Sequence, residues 1–172
     1  GSDRTGRMAA FPPDETPRSM QLYGVDPVTV GLAVRRLVED QAVDHIDLNF
    51  GCPAAKVTRK GGGSAIPIHR RLLASIIGAA VEAASPAGIP VTVKFRLGID
   101  DRLHTHLATG RIAEDEGAAA VAAPPAVSVG DDLATSQTGV ALGSADNKTA
   151  RRVNDELRFV AQVYWVNNLE NN

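Results

Sequence analysis

His45-Ile46-Asp47-Leu48-Asn49-Phe50-Gly51-Cys52-Pro53 is the stretch on which the fold turns. Its first six residues alternate polar and apolar, the period-two pattern of a strand, and Gly51 and Pro53 then stop it. A glycine-rich loop through Gly61, Gly62 and Gly63 follows. Beyond it, Ile68, Leu72, Ile76, Ala80 and Ala84 mark one stripe of a helix, closed by Gly88-Ile89-Pro90.

The same order recurs on both sides. Upstream, Ser19 to Tyr23 alternates and is stopped by Gly24. Asp26 then supplies an N-cap, Pro27 suits the first helical position, and Val30, Ala33, Val34, Leu37 and Val38 recur at helical spacing. Downstream, Val91, Val93, Phe95 and Leu97 form one face of a third strand. A less regular segment, with His104-Thr105-His106 read as loop, leads to a short helix ending at Gly117, and Ala118 to Ala123 starts a fourth strand. Strands alternating with helices predict parallel strands joined by crossovers, hence an α/β fold, either an open sheet or part of a barrel.

The polar faces of these strands carry the functional signal, because a strand covered on both sides should be nearly all apolar. Ser19, Gln21 and Tyr23 share a face, as do Asp47 and Asn49, and Thr92, Lys94 and Arg96. An unpaired buried polar group costs about 1–3 kcal/mol, so polar groups near three strand ends imply a ligand or an ordered network there. That is the end at which α/β folds keep their sites.

Composition bounds the rest. A chain of 172 residues that is 44% apolar suits one globular domain. No apolar run is long enough for a membrane helix, and the start lacks a signal pattern, which points to the cytoplasm. The single cysteine excludes an internal disulfide, and four scattered histidines, at 45, 69, 104 and 106, offer no metal cluster. A net charge of −2 is no signature of nucleic-acid binding, yet no acid lies between Asp47 and Glu82. That interval holds Lys56, Arg59, Lys60, Arg70 and Arg71, which reads either as a phosphate-facing surface or as an ordinary solvated loop and helix start.

Cys52 sits between Gly51 and Pro53 at a strand end beside basic residues, a placement that suits a thiol exchanging a proton with a ligand. The glycines at 61–63 lack the sequel of a P-loop and the spacing of a dinucleotide fingerprint, so they read as a shaped or mobile loop.

Taken together, Gln21-Leu-Tyr-Gly24, Asp47-Leu-Asn-Phe-Gly-Cys-Pro53, Lys56-Val57, Gly62-Gly-Ser-Ala65 and Val93-Lys-Phe-Arg-Leu-Gly98 resemble the tRNA-dihydrouridine synthase family, especially its actinobacterial-type members, over residues 14–121. The resemblance implies a (β/α)8 barrel, here a partial one of three to four βα units. It also implies FMN as cofactor, NADPH as electron donor, and tRNA as the substrate in which uridine becomes 5,6-dihydrouridine. By the same resemblance Cys52 is the catalytic acid and Asn49 holds the uracil. Lys56 and Arg59 then face the RNA, and Gln21, Lys94 and Arg96 lie at the flavin.

The family's opening Pro-Met-Ala-Gly type strand has no counterpart in the sequence, and Ala122-Ala-Pro-Pro-Ala126 stands where the family carries a His-x-Arg-Thr type motif. The expectation is of a truncated, frameshifted or fused chain whose activity as it stands is a separate question. Residues 1–13 are expected to be an unordered or tag-derived start, and 122–172 an unassigned tail. In that tail Val153, Leu157, Val160, Ala161 and Tyr164 predict an amphipathic helix over 148–166. The alternative function is a non-catalytic α/β module, a homo-oligomer formed through open sheet edges and that helix.

Overall fold

The computed structural model describes residues 11–98 and 103–123, together with the backbone of two short strands at 139–141 and 162–165. Strands β1 (Ser19–Tyr23), β2 (His45–Phe50), β3 (Val91–Phe95) and β4 (Ala120–Ala122) alternate with helices α1 (Pro27–Glu39), α2 (Ala55–Thr58), α3 (Arg70–Ala84) and α4 (His106–Asp115). Two further strands, β5 (Gly139–Ala141) and β6 (Gln162–Trp165), complete a sheet of order β5-β4-β3-β2-β1-β6. β1 to β4 are parallel and adjacent in chain order. An open doubly wound sheet reverses direction at a switch point, whereas a barrel adds its strands in sequence. The choice left open by periodicity therefore falls to a partial (β/α)8-barrel-like sheet.

Register builds the core. Met20 lies opposite Ile46 and Leu22 opposite Leu48; Ile46, Leu48 and Phe50 in turn face Val91, Val93 and Phe95, and Val93 faces Val121. All nine are buried, in one cluster with Val30 and Val34 of α1 and Leu73, Ile76, Ile77, Ala80 and Ala84 of α3. At about 25 cal/mol per Å² of apolar surface removed from water, this shared face dominates the stabilisation. The Asp26 carboxylate accepts from the Thr29 amide at 2.7 Å, the cap expected for α1.

Several expectations need correction. The buried stripe of α3 runs through Leu73, Ile76, Ile77, Ala80 and Ala84, whereas Ile68 is exposed and Leu72 half-buried. A 3-10 segment, Gly63–Ile68, precedes the helix and resets its phase. Leu97 lies beyond the end of β3. His106 is not loop but the first residue of α4, its Nδ1 within 2.7 Å of the Leu97 carbonyl oxygen. Order begins before Arg18, since Phe11 packs against the core, as a large aromatic with apolar surface to bury will.

The predicted tail helix is contradicted at its C-terminal end, where Gln162–Trp165 is strand β6, parallel to β1. Val163, Tyr164 and Trp165 are strand formers, and the edge of β1 offers unpaired backbone donors and acceptors that a helix could not satisfy. The rest of that helix lies outside the described residues. β6 on β1 and β5 on β4 also occupy the two sheet edges expected to be open.

Candidate active site

The opposite face of the sheet is polar. In register, Ser19 lies beside His45, Gln21 beside Asp47, Asp47 beside Thr92, and Asn49 beside Lys94. Parallel pairing at the 4.7–4.9 Å strand spacing brings these side chains within hydrogen-bond reach.

All of them but Lys94 form one connected network. Asp47 accepts at Oδ2 from Gln21 Nε2, at 2.5 Å, and at Oδ1 from the Thr92 hydroxyl, at 2.8 Å. Gln21 Oε1 in turn accepts from Asn49 Nδ2, at 2.9 Å, and Asn49 Oδ1 from the Gly51 amide, at 3.0 Å. On the other side the His45 ring lies 2.9 Å from Thr92 Oγ1 through Nε2 and 2.6 Å from Ser19 Oγ through Nδ1. Ser19, Gln21, His45 and Thr92 are buried, while Asp47 and Asn49 are partly open. No buried side-chain nitrogen or oxygen among the described residues lacks a partner, which is what makes so polar a face tolerable.

Burial acts on the titratable members. It pushes Asp47 up to about 6, against the opposing pull of its bonds to Gln21 and Thr92 and of the Lys94 charge. It pushes His45 down to about 4. The Tyr23 hydroxyl is held above its ordinary range, first by burial and then by the proximity of Cys52.

At the C-terminal end of β2 the backbone carrying Cys52 is clamped on several sides. The Gly51 amide is held by Asn49, the Gly51 carbonyl accepts from Arg96 Nε at 2.7 Å, and the Cys52 carbonyl accepts from the Ser64 amide at 3.0 Å. Gly63 has φ +57, and a Cβ there would fall inside contact distance of the Cys52 carbonyl oxygen. Only glycine meets both demands. The glycines read as a shaped or mobile loop form the turn between α2 and the 3-10 segment, which Gly63 opens while packing on Cys52. The thiol itself is free and half-buried.

Gln21, Asn49, Lys94, Arg96 and Cys52 are therefore gathered towards the C-terminal ends of β1, β2 and β3. Lys56, within α2, and Arg59, just after it, are both exposed and stand outside the network, as do the exposed Lys60, Arg70 and Arg71. The sequence reading gave no role of its own to Asp47, which holds the Gln21 amide, or to Thr92, His45 and Ser19, which continue the network from it. The available signal was the i, i+2 spacing of His45, Asp47 and Asn49 on one face. Half-buried Lys94 makes no ion pair or hydrogen bond among the described residues.

A sequentially ordered parallel sheet with amides, a cation and a thiol at the C-terminal ends of its strands defines a barrel-type α/β protein with a site in the usual place for that class. The family is more specific. The dihydrouridine synthase (Dus) family model matches residues 2–123, and the chain belongs to that family. The match takes in most of the segment set aside above as an unordered or tag-derived start.

The chain is 60% identical over 118 residues to a probable tRNA-dihydrouridine synthase of Mycobacterium leprae (strain TN), covering 69% of this chain and 31% of the relative. It is 39% identical over 109 residues to tRNA-dihydrouridine synthase B of Pseudomonas aeruginosa, covering 63% of this chain and 32% of that protein. A probable tRNA-dihydrouridine synthase of Rickettsia bellii is 42% identical over 104 residues, covering 60% of this chain and 31% of the relative. The chain spans about a third of the length of these curated relatives.

Proposed function

We propose that this site serves the flavin-dependent reduction of uridine to 5,6-dihydrouridine in tRNA. The observation that carries the proposal is the half-buried Lys94 ammonium, which makes no ion pair or hydrogen bond among the described residues, beside the Gln21 and Asn49 amides and near the strand end that carries Cys52. A half-buried cation at the strand ends favours an anionic or electron-rich ligand. Each of the two amide groups also keeps one N–H outside the network. These groups fit the ring of FMN and a uracil edge.

When bound, FMN reduced by NADPH supplies the hydride that adds to C6 of the uracil. The residues of the chain do the rest. Asn49 holds the base after it leaves its stack, a cost of a few kcal/mol that the pocket offsets. Gln21 and Lys94 would hold the ring system of the cofactor, with Arg96 near the same site while its Nε keeps the Gly51 carbonyl. The Cys52 thiol gives its proton to C5 and recovers one from solvent, acting as the general acid. Exposed Lys56 and Arg59 meet RNA phosphates, and a tRNA substrate implies a cytoplasmic setting. Among the described residues no helix is long and apolar enough to cross a membrane.

Titration of the purified protein with FMN, followed by absorbance, tests the reading. A yellow protein with flavin bound near stoichiometry is expected, and Cys52→Ala should keep the flavin and lose dihydrouridine formation. Absence of binding at high micromolar FMN, or full activity in Cys52→Ala, would overturn it.

A further inference from the structure

We infer that Asp47 is a positioning residue, whose carboxylate sets the direction of the hydrogen bonds in the network and so decides which atoms of the Gln21 and Asn49 amides face which way. A carboxylate only accepts and a backbone amide only donates. Gln21 must therefore turn Nε2 to Asp47, which leaves Oε1 for Asn49 Nδ2 and Asn49 Oδ1 for the Gly51 amide. This arm ends on groups that cannot reverse. Flipping either amide would set donor against donor, and flipping Asn49 would also release the backbone just before Cys52.

The other arm can reverse. With Asp47 ionised, Thr92 donates to Oδ1, the Thr92 oxygen accepts from His45 Nε2–H, and His45 Nδ1 accepts from Ser19. Hydroxyls rotate and a neutral imidazole exchanges tautomers. A proton arriving at Asp47 is accommodated at Oδ1: Thr92 turns to donate to Nε2, and His45 carries its proton on Nδ1 towards Ser19. The amides keep their orientation, and the Ser19–His45–Thr92 arm absorbs the change.

Among the described residues, the titratable and charged groups on this face besides Asp47 are Tyr23 from β1, His45 from β2, Lys94 from β3 and Arg96 just after it, with Cys52 beyond the end of β2. Lys94 is the one whose charge acts on Asp47. With Asp47 at about 6 and His45 at about 4, the carboxylate takes its proton while the imidazole is still neutral, so a change of tautomer precedes any change of charge. The bond directions stand without the proposed activity; only the consequence for substrate binding through Asn49 rests on that reading.

Long-range proton–nitrogen correlation spectra of the histidine-labelled protein read the tautomer directly and need neither flavin nor tRNA. In the wild type, His45 should be the Nε2–H form at neutral pH and become the Nδ1–H form on acidification, before it gains charge. In Asp47→Asn, whose amide can donate to Thr92 permanently, the Nδ1–H form should hold across the range. A His45 that keeps one tautomer through the wild-type titration overturns the inference, and so does a folded Asp47→Asn protein still in the Nε2–H form. Should that variant fail to fold, the wild-type titration alone decides.

Discussion

His45 and Asp47 stand two residues apart on one face of β2 and are displaced in opposite directions, His45 down to about 4 and Asp47 up to about 6, each chiefly by burial. Their effects on stability therefore oppose each other. Between about pH 4 and 6.5, His45 is protonated when unfolded and neutral when folded, so stability falls as pH falls. Over about pH 3.8 to 6, Asp47 is ionised when unfolded and protonated when folded, so stability rises as pH falls. Each contribution is on the order of 3 kcal/mol at 1.36 kcal/mol per pKa unit.

The wild type should accordingly show a nearly flat stability between pH 6 and 4, and single substitutions should uncover the hidden slopes. Asp47→Asn is expected to lose stability on acidification, and His45→Gln to gain it. Urea unfolding at a series of pH values measures both. Parallel profiles for the two variants would refute the opposed pair.

Gly63→Ala should cost about 1–3 kcal/mol and impair the site, because the new methyl must displace the Cys52 carbonyl as well as tolerate a positive φ. Gly61 supplies the control: its φ is +77, but a Cβ there meets nothing within 4 Å. Gly61→Ala should show the backbone cost alone, about 1 kcal/mol. Equal losses in stability and in dihydrouridine formation would remove the packing argument for Gly63.

Replacing Lys56 and Arg59 together by glutamine should weaken tRNA binding and flatten its dependence on salt. Each lost phosphate contact lowers the slope of log K against log salt by about 0.7–0.9, so the pair should lower it by roughly 1.4–1.8. Both side chains are exposed and outside the hydrogen-bond network, so thermal stability should hardly move. An unchanged slope, read from gel shifts or fluorescence titrations, would place the RNA elsewhere.

The extent to which the fold was legible follows from where each signal lies. β1, β2, β3 and α1 announce themselves because their periodicity, caps and stops are local, as with Asp26 capping at Thr29. The phase of α3 was not legible, since a 3-10 segment containing Pro67 intervenes between the glycines and the helix. Nor was β6, whose residues 162–165 continue a helical spacing in sequence but gain a ladder of backbone bonds only when β1 lies alongside. A free edge is a property of the sheet, not of the segment that fills it.

The sequence alone determined that polar residues recur on one face of three strands, that Cys52 follows the second of them between Gly51 and Pro53, and that a basic, acid-free stretch comes next. Those facts carried the family resemblance. Tertiary structure decided how the polar face is connected, because hydrogen bonds between parallel strands join residues far apart in the chain, such as Asp47 and Thr92. Only register shows that two arms of donors converge on one carboxylate, and that the Gly51 backbone beside Cys52 is the fixed end of one of them. Spacing within a strand assigns a side chain to a face; which atom of that side chain donates is settled by its neighbours across the sheet.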